Sequence, residues 1–233
     1  MSPVSRSRVR PERYRPSIYL LALALSVALP VGVGADEMTI QNDSVTDFSQ
    51  VAIQVGFASN EQAAAWLTSP CDGDIVAVQI FWRSQTGGSG STIGDSIVIS
   101  NAGTFPVPGT LLQTMSGPLL QDGFLNEFRY LDKAGTVPLI VPVVANQVVV
   151  VSFRFDEGPP LSGPSVVTDI DGCQAGKNGI LAIPPGAWFS SCALGVSGDF
   201  VIRAVVDCST APVVIFIDGF ESGDTSAWTS TVP

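Results

Sequence analysis

Gln147-Val-Val-Val-Val-Ser-Phe-Arg-Phe155 decides the fold. Read with period two, Val149, Val151, Phe153 and Phe155 share one face, whereas Val148, Val150, Ser152 and Arg154 share the other. The second face turns polar toward its end. Four consecutive valines resist a helix, where β-branched side chains lose χ1 freedom, and pack well on a pleat. The stretch reads as a central strand, buried on one side and half-covered on the other.

The same reading extends outward along the chain. Asp199–Cys208 has the cleanest alternation, with Phe200, Ile202, Ala204, Val206 and Cys208 set against Val201, Arg203, Val205 and Asp207. In Ile75–Arg83, Val76, Val78, Ile80 and Trp82 alternate with Ala77, Gln79, Phe81 and Arg83. Gln50–Phe57 places Val51, Ile53, Val55 and Phe57 together on an expected inward face. Asp95–Ser100, Leu111–Met115, Leu125–Leu131 and Leu139–Val144 supply further strands, the last demoted to an edge by Pro138 and Pro142. Ala63–Leu67 suits either a short helix capped by Asn60 or a strand, and its Trp-Leu-Thr ending favours the strand. Ser84–Thr92 is a Gly/Ser loop, and Gly103–Gly109 is a proline-punctuated turn or edge. Strands at this spacing, without helical crossovers, predict an all-β fold: an antiparallel β-sandwich of the jelly-roll kind.

The N-terminal segment stands apart. Arg6, Arg8, Arg10, Arg13 and Arg15 precede an uncharged apolar run, Ile18–Leu29, which Pro30 ends. Val33-Gly34-Ala35 then offers small residues for a signal peptidase. A transmembrane span needs about 20 apolar residues, more than this run has. Residues 1–35 are therefore read as a signal peptide cleaved after Ala35, with no membrane span left after cleavage. Residues 36–48 are polar with little periodicity and read as a flexible leader. Residues 49–217 are the expected sandwich domain, with Val213–Ile217 as a terminal strand, and residues 218–233 are a tail.

Of 11 basic and 21 acidic residues, the signal segment holds five Arg and one Glu, so the mature charge is −14. Six scattered cations do not make the basic surface that displaces counterions from phosphate, which excludes nucleic acid as a partner. Cys71, Cys173, Cys192 and Cys208 form an even set without CxxC spacing. Behind a signal peptide they read as two disulfides, for which three pairings exist. A Cys173–Cys192 bond would staple the long excursion between them, leaving Cys71 and Cys208 to tie the early sheet to the last long strand.

The chain has no histidine and no GxSxG, so a histidine-activated serine nucleophile is excluded. Carboxylates are what remains for chemistry: Asp156-Glu157 and Asp169-Ile-Asp171. Two acids suffice for glycoside cleavage, and Asp169 with Asp171 are also oxygen donors of the type calcium takes from loops. Acidic turns in an acidic protein have the same composition. Trp188-Phe189, inside the expected stapled loop, suits sugar stacking, protein contact, or capping of the core. The leading expectation is a non-catalytic secreted or cell-surface protein that binds a glycan or a partner protein. The alternatives are a small calcium-assisted glycan-active enzyme and a purely structural envelope protein.

The C-terminal string contains Phe216, Asp218, Gly219, Phe220, Glu221, Ser222, Gly223, Asp224, Ser226 and Trp228 in the pattern F-x-D-G-F-E-S-G-D-x-S-x-W. It resembles the ending found on many exported bacterial proteins of otherwise unrelated content, and the body is similar to secreted proteins that share this tail. The string is also similar to the opening of larger laminin-G-like or lectin-like sandwiches. It lacks the hydrophobic span and basic stop of LPxTG-type and PEP-type sorting ends. The resemblance implies export and carries no activity. It makes Asp218, Phe220, Glu221 and Trp228 candidates for recognition by an export or attachment machine.

Overall fold

The computed structural model describes residues 36–84, 91–156 and 165–208. The expected signal peptide, the Val213–Ile217 strand and the tail residues Asp218, Phe220, Glu221 and Trp228 lie outside the described residues. The first strands are β1 (Glu37–Ile40), β2 (Ala52–Val55), β3 (Gln62–Thr68), β4 (Gly73–Trp82) and β5 (Ser91–Ile93). Then come β6 (Ser96–Asn101), β7 (Leu111–Ser116), β8 (Leu119–Gln121), β9 (Phe124–Phe128) and β10 (Val141–Val143). The last are β11 (Val148–Arg154), β12 (Ser165–Thr168), β13 (Asn178–Ala182), β14 (Ala187–Ser190) and β15 (Ile202–Asp207).

Two antiparallel sheets make the sandwich. The first runs β1-β15-β4, and the free side of β4 is shared by β10 at one end and β9 at the other. The second runs β14-β13-β3-β11-β6-β7. β11, the four-valine strand, lies centrally between β3 and β6. Its Val149, Val151 and Phe153 enter one core with Leu67, Ile97 and Ile99 of the same sheet and Val78, Ile80, Trp82, Ile202 and Ala204 of the facing one. On its other face Val150 is also buried, beside its cross-strand partner Trp66. Among the described residues no helix is long and apolar enough to cross a membrane.

Alternation on β4 is interrupted. Val205 pairs with Ala77 and Val206 with Ile75, so Val76 is an extra residue, a β-bulge. The bulge shifts the phase by one. Ile75 enters the core in place of the expected Val76, while Val78, Ile80 and Trp82 keep their places.

The expected flexible leader is corrected. Glu37–Ile40 pairs with β15 as the sheet's edge strand, opposite Ala204–Asp207. Arg129 fixes it from outside with hydrogen bonds of 2.8 Å to each Glu37 carboxylate oxygen. Beyond it, the chain lies on the outer face of the first sheet. There Val45 and Phe48 pack with Phe81, Val167 and Val201 in a second apolar cluster. Low periodicity misread this segment because an edge strand followed by a covering loop has only a few inward positions. Gln50–Phe57 is corrected too: among the described residues β2 pairs only with β12, in a separate ribbon, and Ile53 and Val55 are exposed.

Arg203 makes this outer layer possible. It projects from β15 to the side opposite the main core and is buried, as is Asp43. Its Nε donates to Asp43 Oδ2 at 2.9 Å, and its Nη2 donates to Asp43 Oδ1 and to the Val45 carbonyl. The guanidinium also stands 5.6 Å from the centre of the Phe48 ring. Removing one partner leaves a buried charge without compensation. Arg203→Met and Asp43→Ala are each expected to destabilise the fold by about 3–5 kcal/mol in urea titrations. The double variant should lose far less than the sum, because neither charge is then stranded.

The cysteines pair as Cys71–Cys208 and Cys173–Cys192, with sequence separations of 137 and 19 residues. In the chain-entropy model the first stabilises by about 5 kcal/mol and the second by about 3. Cys71→Ala/Cys208→Ala should therefore lower the melting temperature more than Cys173→Ala/Cys192→Ala does. Equal melting temperatures with and without reductant would refute both contributions.

Candidate functional site

The outer face of the second sheet carries an aromatic group on three separate elements. Trp66 projects from β3, and its indole Nε1 donates to the Ala102 carbonyl at 2.9 Å. Phe105 comes from the turn after β6 and meets Trp66 edge to face at 5.0 Å. Trp188 comes from β14 and stands nearly perpendicular to Trp66, 6.3 Å away. Such edge-on pairs add stabilisation beyond the area they bury.

Backbone geometry makes room for all three. Gly103 has φ +62°, and a Cβ there would lie 2.3 Å from the Val107 carbonyl oxygen. The 103–109 turn that presents Phe105 therefore needs glycine at this position. Gly179 lies under Trp66, where an added Cβ would sit 2.9 Å from Cζ3 of the indole. The Trp66 ring can lie against β13 only because this side chain is missing.

A shallow groove of about 260 Å³ opens here, lined by Trp66, Thr68, Phe105, Val148, Gly176 and Lys177 among others. The backbone beside it is tied down. Trp66 N–H donates to the Lys177 carbonyl at 2.8 Å, and the Asn42 amide donates to the carbonyls of both Trp66 and Lys177. Asn42 belongs to the segment expected to be a loose leader. The groove therefore rests partly on a stretch whose role sequence reading missed.

Trp188 and Phe189 do not lie on a long loop, as the cysteine spacing led one to expect. The chain between Cys173 and Cys192 forms the β13–β14 hairpin, which extends the second sheet beyond β3. Adjacent residues of a strand face opposite ways. Trp188 thus joins the outer aromatic group, while Phe189 pairs with Ile180, a core residue. Sequence reading set the two together as a pair of ligand candidates, and the strand separates them. Buried Glu61 holds the hairpin tip, accepting from Ile183 N–H at 2.6 Å and Ala58 N–H at 2.7 Å.

Asp169 is buried and both its oxygens are engaged: Oδ1 accepts from Asp199 N–H and Oδ2 from Ser44 N–H. Asp171 is exposed. Asp199, which sequence reading did not single out, is fully buried and accepts from Gln174 N–H, the Gln174 amide and the Asn178 amide. Asn178 in turn accepts from Phe200 N–H. Gly198 admits the close approach, since a Cβ there would meet the Asp169 carbonyl oxygen at 2.1 Å. These groups stitch the 42–44 segment, the start of β13 and the entry to β15 into one polar seam. Glu157, partner of Asp156 in the other candidate pair, lies outside the described residues. Among the described residues no group of three or more His, Cys, Asp or Glu side chains is gathered to hold a metal ion.

Burial pushes the Asp169 and Asp199 carboxyls above the ordinary range, against the hydrogen bonds that favour their charged forms. The folded chain thus holds these protons more tightly than the unfolded one, and ionisation destabilises the fold as pH rises through the folded pKa. Glu37 behaves oppositely: its hydrogen bond from Arg129 lowers its pKa, so its contribution is lost only as pH falls through that lowered value. Relative to Asp199→Asn, the wild-type protein is expected to gain stability between pH 7 and about 4, the ordinary carboxylate range. Urea midpoints across that interval measure the difference, and a pH-independent offset would refute the assignment.

No family model, curated protein or solved structure matches this chain.

Proposed function

We propose that the protein is a secreted or cell-surface binding module that holds a glycan on the outer aromatic face of its second sheet. The observation that carries this reading is the three-element group in which Trp66 and Phe105 line an open groove and Trp188 stands against Trp66. A rigid aromatic surface presents an apolar plane to the C–H face of a sugar ring at little entropic cost. The two disulfides, together with the basic and apolar signature of residues 1–35, support an oxidising location outside the cytoplasm. The tail resemblance supports export in the same direction.

Asp169 does not favour the rival reading of a calcium-assisted glycan-active enzyme, since both its oxygens already accept backbone N–H groups. A polysaccharide panel, assayed for both binding and turnover, tests the two together. Trp188→Ala should weaken binding by on the order of 30-fold, the effect of a central aromatic contact. Because Trp188 is half-buried at the sheet's rim, the melting temperature should fall only modestly. Turnover that disappears in Asp169→Asn/Asp171→Asn would overturn the proposal in favour of the enzyme. Silence on the whole panel, with intact surface assembly, would favour the structural envelope role.

A further inference from the structure

The groove beside the aromatic group contains a cation in a chain that is otherwise strongly acidic. Lys177 is half-buried and lines it, and among the described residues its ammonium has no ion-pair partner. Arg129, Arg154 and Arg203, by contrast, are each matched to a carboxylate. The position of Lys177 is fixed by three backbone hydrogen bonds. Its N–H donates to the Gln174 carbonyl, and its carbonyl accepts from Trp66 N–H and the Asn42 amide. Thr68, whose side chain is exposed at the end of β3, adds a hydroxyl to the same groove.

An unmatched ammonium beside aromatic rings offers two kinds of contact at once. The rings take an apolar surface, and the ammonium takes an anion in a partly desolvated setting, where a charge-assisted hydrogen bond is worth about twice a neutral one. We infer that the groove takes a sugar bearing a carboxylate, a uronic acid residue. Its C–H face lies on Phe105, which lines the groove against buried Trp66, and its carboxylate lies on Lys177. This rests on the glycan reading above and narrows it to an acidic ring. Charge repulsion from the rest of the protein is screened beyond about 8 Å at physiological ionic strength. The lysine contact is shorter than that and survives it.

Matched probes separate the carboxylate from the ring. Uronate trisaccharides of galacto, gluco and manno configuration, and the methyl ester of each, are titrated calorimetrically into the full mature chain. Parallel titrations use Lys177→Met, Lys177→Arg and Phe105→Ala, with thermal melts as the control for folding. At least one acid should bind on the order of 10-fold tighter than its own ester, the scale of one hydrogen bond to a charged group. That preference should vanish in Lys177→Met and largely return in Lys177→Arg. Equal binding of acid and ester, both lost in Phe105→Ala, would overturn the carboxylate inference and leave the glycan reading standing. A preference for the acid that persists in Lys177→Met would overturn it as well. If no uronate binds while a neutral polysaccharide does, the carboxylate inference falls alone. If an Asp/Glu-rich peptide binds through Lys177 and Phe105 and no saccharide does, both fall.

Discussion

A single buried guanidinium sets the limits of this fold. β15 lies between β1 and β4 in the first sheet, and every residue from Phe200 to Val206 is buried. One face meets the second sheet, while the other bears Val201, Arg203 and Val205 and needs a cover of its own. An arginine on that face is tolerable only if its charge is matched, since burying an isolated ion costs far more than a hydrogen bond returns. Asp43 supplies the match and the Val45 carbonyl a further acceptor, so the chain before β2 must cross the outer face of the sheet. The second apolar cluster, the edge strand β1 and the position of Asn42 all follow from that crossing.

The crossing also links the two faces of the sandwich. Asn42 is adjacent to Asp43, and its amide reaches the carbonyls of Trp66 and Lys177 at the border of the aromatic groove. Ser44 N–H, on the other side of Asp43, donates to Asp169. Three consecutive residues therefore address three places: the groove, the buried ion pair and the polar seam at the entry to β15. Gln174 joins two of these, because its amide donates both to the Asn42 carbonyl and to Asp199. Loosening the segment at Asp43 would thus loosen the groove some distance away, without any change to the residues that line it.

The strands with long alternation were legible in the sequence. β11, β15 and most of β4 bury one face against the facing sheet, and period two records that directly. The cysteine pairing was legible because the two local cysteines flank one excursion and the two distant ones lie at the ends of neighbouring strands. Features that depend on tertiary context were hidden. The bulge at Val76 leaves no local signal, since Ile75 and Val76 are equally apolar. The β13–β14 hairpin was concealed by Pro184-Pro185-Gly186, which reads as loop but occupies only its tip. In the leader, Asp43 looked like solvent-facing polarity. Its partner Arg203 is 160 positions away, and nothing local pairs the two.

The candidate site was half legible for a related reason. Trp188 stood out as a large aromatic among turn residues, but Trp66 read as one more strand residue and Phe105 as part of a proline-rich turn. Only the pairing of β3 with both β11 and β13 brings them to one face. Each is held by a different device: Trp66 by its indole hydrogen bond and the space over Gly179, Phe105 by the Gly103 turn, and Trp188 by the hairpin that Glu61 and Cys173–Cys192 fasten. A tryptophan needed only for filling would be expected over the main core, which already holds Trp82, Phe153, Phe155 and Phe200. Trp188 instead stands at the rim, packed on one side against Trp66. The sheet spends a hairpin, a disulfide and a buried glutamate on holding it there. Order fastened around a half-exposed ring in this way is the feature on which the proposed binding role rests.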